Sequence, residues 1–230
     1  ANTELKILVV DLDPQGNAST GLGIEVKERN KTIYELMISK DTILNPYIYK
    51  SSVKNLDVIP SNVDLSGFET EVAEDGKRAF FLNDVLRPLA QSNQYDYILV
   101  DCPPSLSLLT IMALVASDEL LVPLQTEFFA LEGITQLVKT IDRIKENLNP
   151  TLSIRGILLT MFDKRNKLSS QVDKEARNYF KEKVYQTVIQ RNVRLSEAPS
   201  FGKPALMYAA NSMGAQNYLD LVEEILKNGN

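Results

Sequence analysis

Short, continuously apolar and largely β-branched runs recur along this chain, at 5–11, 56–59, 97–101, 119–123 and 154–161. Strands with one face in water alternate apolar and polar residues. These runs do not, so they read as strands buried on both faces, as in a parallel sheet. Segments with helical spacing separate them, at 32–39, 79–90, 105–116, 130–147, 169–181 and 215–227. Parallel neighbours cannot be joined by a hairpin and need a crossover, which is right-handed in nearly all cases. The expected fold is therefore α/β, a doubly wound, mostly parallel sheet with helices on both faces. No linker rich in Pro, Gly or Ser, no repeat and no low-complexity tract divides the 230 residues, which predicts one domain over 1–230.

Residue types narrow the chemistry. The chain has no histidine and one cysteine, Cys102. That removes Ser-His-Asp and Cys-His catalysis, zinc sites built on His and Cys, and an internal disulfide. Carboxylates, Lys or Arg and a bound cation are left to supply any catalysis. A lone thiol in an apolar run suits a reducing compartment, so the expected location is the cytoplasm. The first residues show no cationic stretch leading into an apolar core, and no signal peptide is expected. The apolar segment 106–116 is shorter than the roughly 20 residues that cross a bilayer and reads as a core helix.

The net charge of −5 argues against a protein that coats nucleic acid with its whole surface. The charge is uneven, however. From Lys164 to Lys203 ten basic residues face four acidic ones, a local balance of +6. This segment is either a solvated helical face or a surface for polyanions.

In open α/β sheets, ligands bind beyond the carboxyl ends of the strands. Two runs end there in the same way: Ile7-Leu8-Val9-Val10 enters Asp11, and Ile98-Leu99-Val100 enters Asp101. A carboxylate at the exit of a dry strand is costly unless a donor, a metal or water meets it. Each Asp could cap the turn that follows. Alternatively, with Asp13 two residues on, the three could form a cluster suited to a hard cation such as Mg²⁺, which takes oxygen ligands and keeps several waters.

Longer words surround these residues: Asp11-Leu12-Asp13-Pro14-Gln15-Gly16-Asn17-Ala18-Ser19, Asp101-Cys102-Pro103-Pro104-Ser105, the stretch from Pro123 to Gly133, and Arg191-Asn192-Val193-Arg194-Leu195-Ser196-Glu197-Ala198-Pro199-Ser200. Together they resemble the ParA/Soj chromosome- and plasmid-partitioning ATPases, in order from about Lys6 to Leu226. The resemblance implies a P-loop NTPase-like fold, ATP and Mg²⁺ as cofactors, and hydrolysis coupled to homodimerisation and non-specific DNA binding. It also implies a ParB-like centromere-binding partner and a cytoplasmic, nucleoid-associated protein. By the same resemblance Asp101 holds Mg²⁺ through water, Asp11 supports that ion's water shell, and Asp13 orients or activates the attacking water. Pro103, Pro104 and Ser105 form a switch that senses the γ-phosphate, and adenine lies near Met161 and Gln190. Gln190 replaces the Pro that commonly precedes the Arg-Asn-Val-Arg run, which removes a rigid apolar surface for the base. Arg191, Arg194 and Lys203 are the expected DNA contacts, backed by Lys181 and Lys183.

One part of the pattern is missing. The family carries a glycine-rich phosphate loop with two lysines between its first strand and first helix, where inward backbone N–H groups and Lys hold the phosphates. Here the single G-x-x-x-x-G spacing, Gly16 to Gly21, is followed by Leu22-Gly23. The expectation is a chain that starts at the family's second strand, with Ala1–Thr3 as the tail of a helix, without the first strand and phosphate loop. A gap in the sheet and impaired hydrolysis by this chain alone follow from it, with a non-hydrolysing paralogue that binds a partner or dimerises as the alternative. The last helix has an acidic polar face, unlike the cationic helix by which the related MinD-like ATPases bind membranes, so no membrane contact is expected. Its spacing Leu219, Val222, Leu226 reads as a core face.

Overall fold

The computed structural model describes residues 4–39, 43–127 and 130–227. The expectations for Ala1–Thr3 and for Phe128 and Phe129 of the third motif lie outside them. Contacts gather the chain into two compact units, Ala1–Ser117 with Pro199–Pro204, and Asp118–Ala198 with Ala205–Asn230. Where the sequence predicts one sheet, each unit has its own.

In the first unit, β1 (Ile7–Asp11) is followed by α1 (Asn17–Gly21) and α2 (Ile33–Ser39), then β2 (Tyr49–Lys50), β3 (Leu56–Ile59), α3 (Phe68–Glu71), α4 (Phe81–Gln91), β4 (Tyr97–Asp101) and α5 (Leu108–Ala116). The strand order is β2-β3-β1-β4, with β1 parallel to both β3 and β4 and β2 antiparallel at the edge. Leu8, Val10 and Leu12 are fully buried and pack with the apolar face of α4 (Phe81, Leu82, Val85, Leu86, Leu89) and with α2 and α5. That α4 spacing places five side chains on one helical face. Among the described residues β4 pairs on one side only, and Tyr97 and Leu99 on it are 39% and 52% exposed.

The second unit runs β5 (Glu119–Gln125), α6 (Ala130–Asn147), β6 (Ser153–Phe162), α7 (Lys167–Phe180), β7 (Val184–Gln190), α8 (Val193–Glu197), α9 (Ala205–Tyr208) and α10 (Met213–Lys227). Its sheet is parallel throughout, in the order β5-β6-β7. Asn166 and Asn192 start α7 and α8 by accepting bonds from the amides of Leu168 (3.0 Å) and Arg194 (2.9 Å), as helix N-caps do. Strand β7 is absent from the sequence reading because its apolar residues come in two pairs, Val184-Tyr185 and Val188-Ile189, split by exposed Gln186 and half-buried Thr187, and form no continuous run. The core face of α10 also differs from expectation. Ala215 and Leu221 are buried, whereas Val222 and Leu226 are 44% and 37% exposed. Leu221 packs with Leu158, Tyr185 and Ile189, so contact with β6 and β7 selects a face one residue away from the predicted one. No helix among the described residues is long and apolar enough to cross a membrane.

Candidate functional site

Parallel pairing of β1 and β4 sets Asp11 opposite Asp101 in register, and the Leu12 amide donates to the Asp101 carbonyl (2.8 Å). Both carboxylates therefore stand at the carboxyl edge of adjacent strands. Their surroundings differ sharply. Asp11 is fully buried and accepts three bonds: Oδ2 from the Ser19 amide (2.8 Å) and hydroxyl (2.6 Å), Oδ1 from the Asp13 amide (3.2 Å). Charge-assisted bonds of this kind are what a dry carboxylate requires. Asp11 thus organises the turn after it while standing beside Asp101.

Asp13 is half-buried and accepts from the Gln15 amide (3.0 Å), and its carbonyl accepts from the Gly16 amide (2.9 Å). Gly16 closes this turn with φ of 63°, a left-handed conformation that favours glycine. A Cβ there would also clash with Nη1 of Arg29. Asp101 is exposed at the edge of its strand and, among the described residues, accepts no hydrogen bond on its carboxylate. Its pKa is pushed up to about 6, first by the protein crowded around the carboxyl and then by the charges of Asp11 and Asp13. Cys102 next to it is pushed up to about 12 by burial and by Asp101, so it stays a thiol.

No group of three or more His, Cys, Asp or Glu among the described residues is arranged to hold a metal ion directly. The three-carboxylate cluster is therefore not a cage of direct ligands, because Asp11 turns inward to Ser19 while Asp101 stays at the edge. The donor set does fit a hydrated Mg²⁺. All three groups are hard oxygen donors, and their mutual repulsion at Asp101 marks excess negative charge that a cation relieves. The phosphates of a nucleotide are not fitted in the same way. The Gly16 turn packs against Arg29 and the Ser61 carbonyl, and no Lys follows Gly21.

After Asp101, Pro104 and Ser105 are exposed and Pro103 is half-buried. The segment is tied at its far end, where Thr110 Oγ1 donates to the Ser105 carbonyl (2.6 Å).

In the second unit, Met161 stands near the end of β6 with φ of 53°, and its carbonyl accepts from Thr126 Oγ1 (3.3 Å). Gln190 ends β7 opposite Phe162, and its amide donates to Asn217 Oδ1 (3.2 Å). A cavity of about 470 Å³ opens at these strand ends, lined by Phe162, Asp163, Lys164, Arg165, Gln190 and Arg191 among others. Gln190 belongs to it, and Met161 is the neighbour of Phe162. A two-point ion pair between Asp163 and Arg165 (3.2 and 3.1 Å) holds the Asp163 carboxyl below the usual range. The predicted DNA contacts do not fall in one unit: Arg191 and Arg194 belong to the second and Lys203 to the first. All three are exposed, and Arg194 is paired with Glu197 at 2.8 Å.

Three residues of this region have no role in the sequence reading: Ser19, Arg29 and Ser61. Ser19 had a signal, since it closes the Asp11 motif. Arg29 and Ser61 had none, because nothing in their local pattern marks a long-range contact.

A largely parallel α/β fold whose neighbouring strands end in paired carboxylates places those groups where proteins of this architecture bind their ligands. Residues 1–154 match the family described as AAA domain. The chain is 49% identical over 221 residues to the chromosome partitioning protein ParA of Caulobacter vibrioides, covering 96% of this chain and 82% of that protein. It is 48% identical over 224 residues to the sporulation initiation inhibitor protein Soj of Bacillus subtilis, covering 97% and 87%. Its fold is similar to that of cobyrinic acid a,c-diamide synthase from Mycobacterium smegmatis with bound ATP analog and magnesium, with TM-score 0.81, 26% identity, and 99% and 85% covered. The chain belongs to the ParA/Soj chromosome-partitioning family, whose members support a role in DNA segregation.

Proposed function

We propose that this protein is a DNA-segregation ATPase in which Mg²⁺-dependent ATP hydrolysis is coupled to homodimerisation and to non-specific DNA binding. The observation that carries this reading is the register of Asp11 and Asp101 on adjacent parallel strands, with the Asp13 turn directly after the first. Phosphoryl transfer asks little covalent chemistry of side chains and depends on positioning and charge neutralisation. In this reading Asp101 and Asp11 hold the water shell of the ion, and Asp13 accepts a hydrogen bond from the attacking water. Pro103, Pro104 and Ser105 respond to the nucleotide state, as exposed loops beside a phosphate site can. Gln190 and the segment at Met161 receive the base, for which the cavity at the ends of β6 and β7 gives room. Arg191, Arg194 and Lys203 contact DNA phosphates, and a ParB-like protein is the partner in the cytoplasm at the nucleoid.

The phosphates need a glycine-rich cradle that the residues of this chain do not supply, so the reading assigns it no step here. The cheapest check is the nucleotide sequence upstream of the Ala1 codon, where an in-frame Lys-Gly-Gly-x-Gly-Lys-Thr would decide for the intact enzyme over a non-hydrolysing paralogue. The functional test uses the product expressed with whatever precedes Ala1 in its reading frame. Mg²⁺-dependent ATP turnover is expected to fall by about 10²-fold or more in Asp13→Asn. DNA binding is expected to weaken steeply between low and moderate salt and to fall further in Arg194→Ala. Turnover indifferent to Asp13, or DNA binding with a flat salt response, would overturn the proposal.

A further inference from the structure

We infer that Arg29 is a positioning residue whose buried guanidinium sets the turns that aim both Asp11 and Asp13, an inference that rests on the roles proposed above for those carboxylates. Arg29 follows the short 3₁₀ turn Val26–Glu28 and is only 8% exposed. Its donors reach the Ile24 carbonyl from Nε (3.2 Å) and Nη2 (2.8 Å), the Ser61 carbonyl from Nη1 (3.1 Å), and Thr20 Oγ1 from Nη2 (2.7 Å). None of these acceptors is a carboxylate. A buried cation bonded only to neutral groups is costly to keep, which makes a structural accident a poor explanation. Burial lowers its pKa, and the nearby charge of Asp11 opposes that shift.

Two hydrogen-bond chains lead from this guanidinium, one to the main chain of the Asp13 turn and one to the Asp11 carboxylate. Along the first, Nη2 donates to Thr20 Oγ1, Thr20 Oγ1 donates to the Gly16 carbonyl (3.0 Å), and the Gly16 amide donates to the Asp13 carbonyl (2.9 Å). Along the second, Nη1 donates to the Ser61 carbonyl, the Ser61 amide donates to Ser19 Oγ (3.2 Å), and Ser19 Oγ donates to Asp11 Oδ2 (2.6 Å). Nη1 also occupies the space over Gly16 that a side chain would fill. One planar fork thus ties the carboxyl ends of β1 and β3 to the turn that carries Asp13. Lysine, a point charge with three donors, can serve one chain but cannot span both.

The test compares Arg29→Lys and Arg29→Met with Asp13→Asn and with the double variant Arg29→Met/Asp13→Asn, in the product used above. ATP turnover is read as kcat and KM, and amide exchange is read without nucleotide. A misplaced group costs rate more than binding, so kcat should fall about 10-fold in Arg29→Lys and about 10²-fold in Arg29→Met, with KM changed by no more than about twofold. Because part of the effect of Arg29 runs through Asp13, adding Arg29→Met to Asp13→Asn should cost clearly less than the product of the two single losses. Without nucleotide, the Gly16 amide should exchange about 10-fold faster in Arg29→Lys while the Val10 amide of β1 is unchanged. Unchanged kcat with unchanged Gly16 exchange overturns the inference, as do losses that multiply in the double variant. Should Arg29→Met fail to fold, Arg29→Lys carries both measurements. Turnover indifferent to Asp13→Asn sinks the ATPase reading instead, and Gly16 exchange then still decides whether Arg29 holds the turn.

Discussion

Asp11 and Asp101 are the same residue type at the same register on neighbouring parallel strands, and the protein treats them in opposite ways. Asp11 is sealed from solvent and satisfied by three donors within the eight residues that follow it. Asp101 stands at an edge strand, with no donor on its carboxylate among the described residues, and the protein crowded around it together with the charges of Asp11 and Asp13 pushes its pKa up to about 6. The first carboxylate is built into the structure. The second is left at the surface without such partners. A site for a hydrated cation needs both kinds, since the rigid group fixes geometry and the poorly compensated one supplies attraction.

The largest effect expected from breaking this pair is on the sealed side. Asp11→Ala leaves the buried Ser19 amide and hydroxyl, and the part-buried Asp13 amide, without their acceptor. Each stranded buried donor costs about 1–3 kcal/mol, so a loss of about 3–5 kcal/mol is expected in urea unfolding without metal. A loss under about 1 kcal/mol would show that the network contributes little and that Asp11 is kept for the ion alone.

How far this site was legible before the structure depended on the range of the forces involved. Strands β1, β3 and β4 were readable because an apolar run between polar ends is a local pattern, and 56–59 and 97–101 match their observed bounds. The facing of Asp11 and Asp101 was readable only through the shared way their strands end. Strand β7 was not, because Gln186 and Thr187 break its apolar residues into two pairs within a segment rich in basic residues. The face of α10 was misread by one position, because partners on β6 and β7, rather than the helix's own spacing, decide which side is buried. Arg29 was invisible for the strongest reason. Its value lies in carbonyls and a hydroxyl on three separate segments, and carbonyls carry no sequence signal.

On the open side the prediction concerns pH. The Asp101 carboxyl has an ordinary value of 3.8 and is raised to about 6 in the fold. The folded chain therefore binds this proton more tightly than the unfolded chain. Ionised Asp101 disfavours the folded state, so its penalty is fully present above about pH 6 and is relieved as the pH falls from about 6 toward 4. Asp101→Asn removes the ionisation. The stability difference between variant and parent, measured by urea unfolding in the presence of a chelator, should favour the variant at pH 7.5 and shrink by pH 4.5. A difference independent of pH would mean that the fold does not disfavour ionised Asp101, neither by crowding it nor by the charges of Asp11 and Asp13, and the contrast with Asp11 would lose its electrostatic basis.

The smallest effect is expected where the same network leaves an atom idle. Ser19 and Ser61 are both fully buried, and the Ser61 amide donates to Ser19 Oγ. The hydroxyl of Ser61 has no partner among the described residues. Its backbone does the tying, through the amide to Ser19 and the carbonyl to Arg29, and alanine keeps both. Removing a buried hydroxyl that makes no bond relieves a desolvation cost, so Ser61→Ala should leave stability unchanged or raise it by up to about 1 kcal/mol. A loss of more than about 1 kcal/mol in urea unfolding would mean that the hydroxyl is bonded in solution. Ser61 would then belong with the satisfied groups around Asp11, and the tie to Arg29 would run through its side chain as well as its backbone.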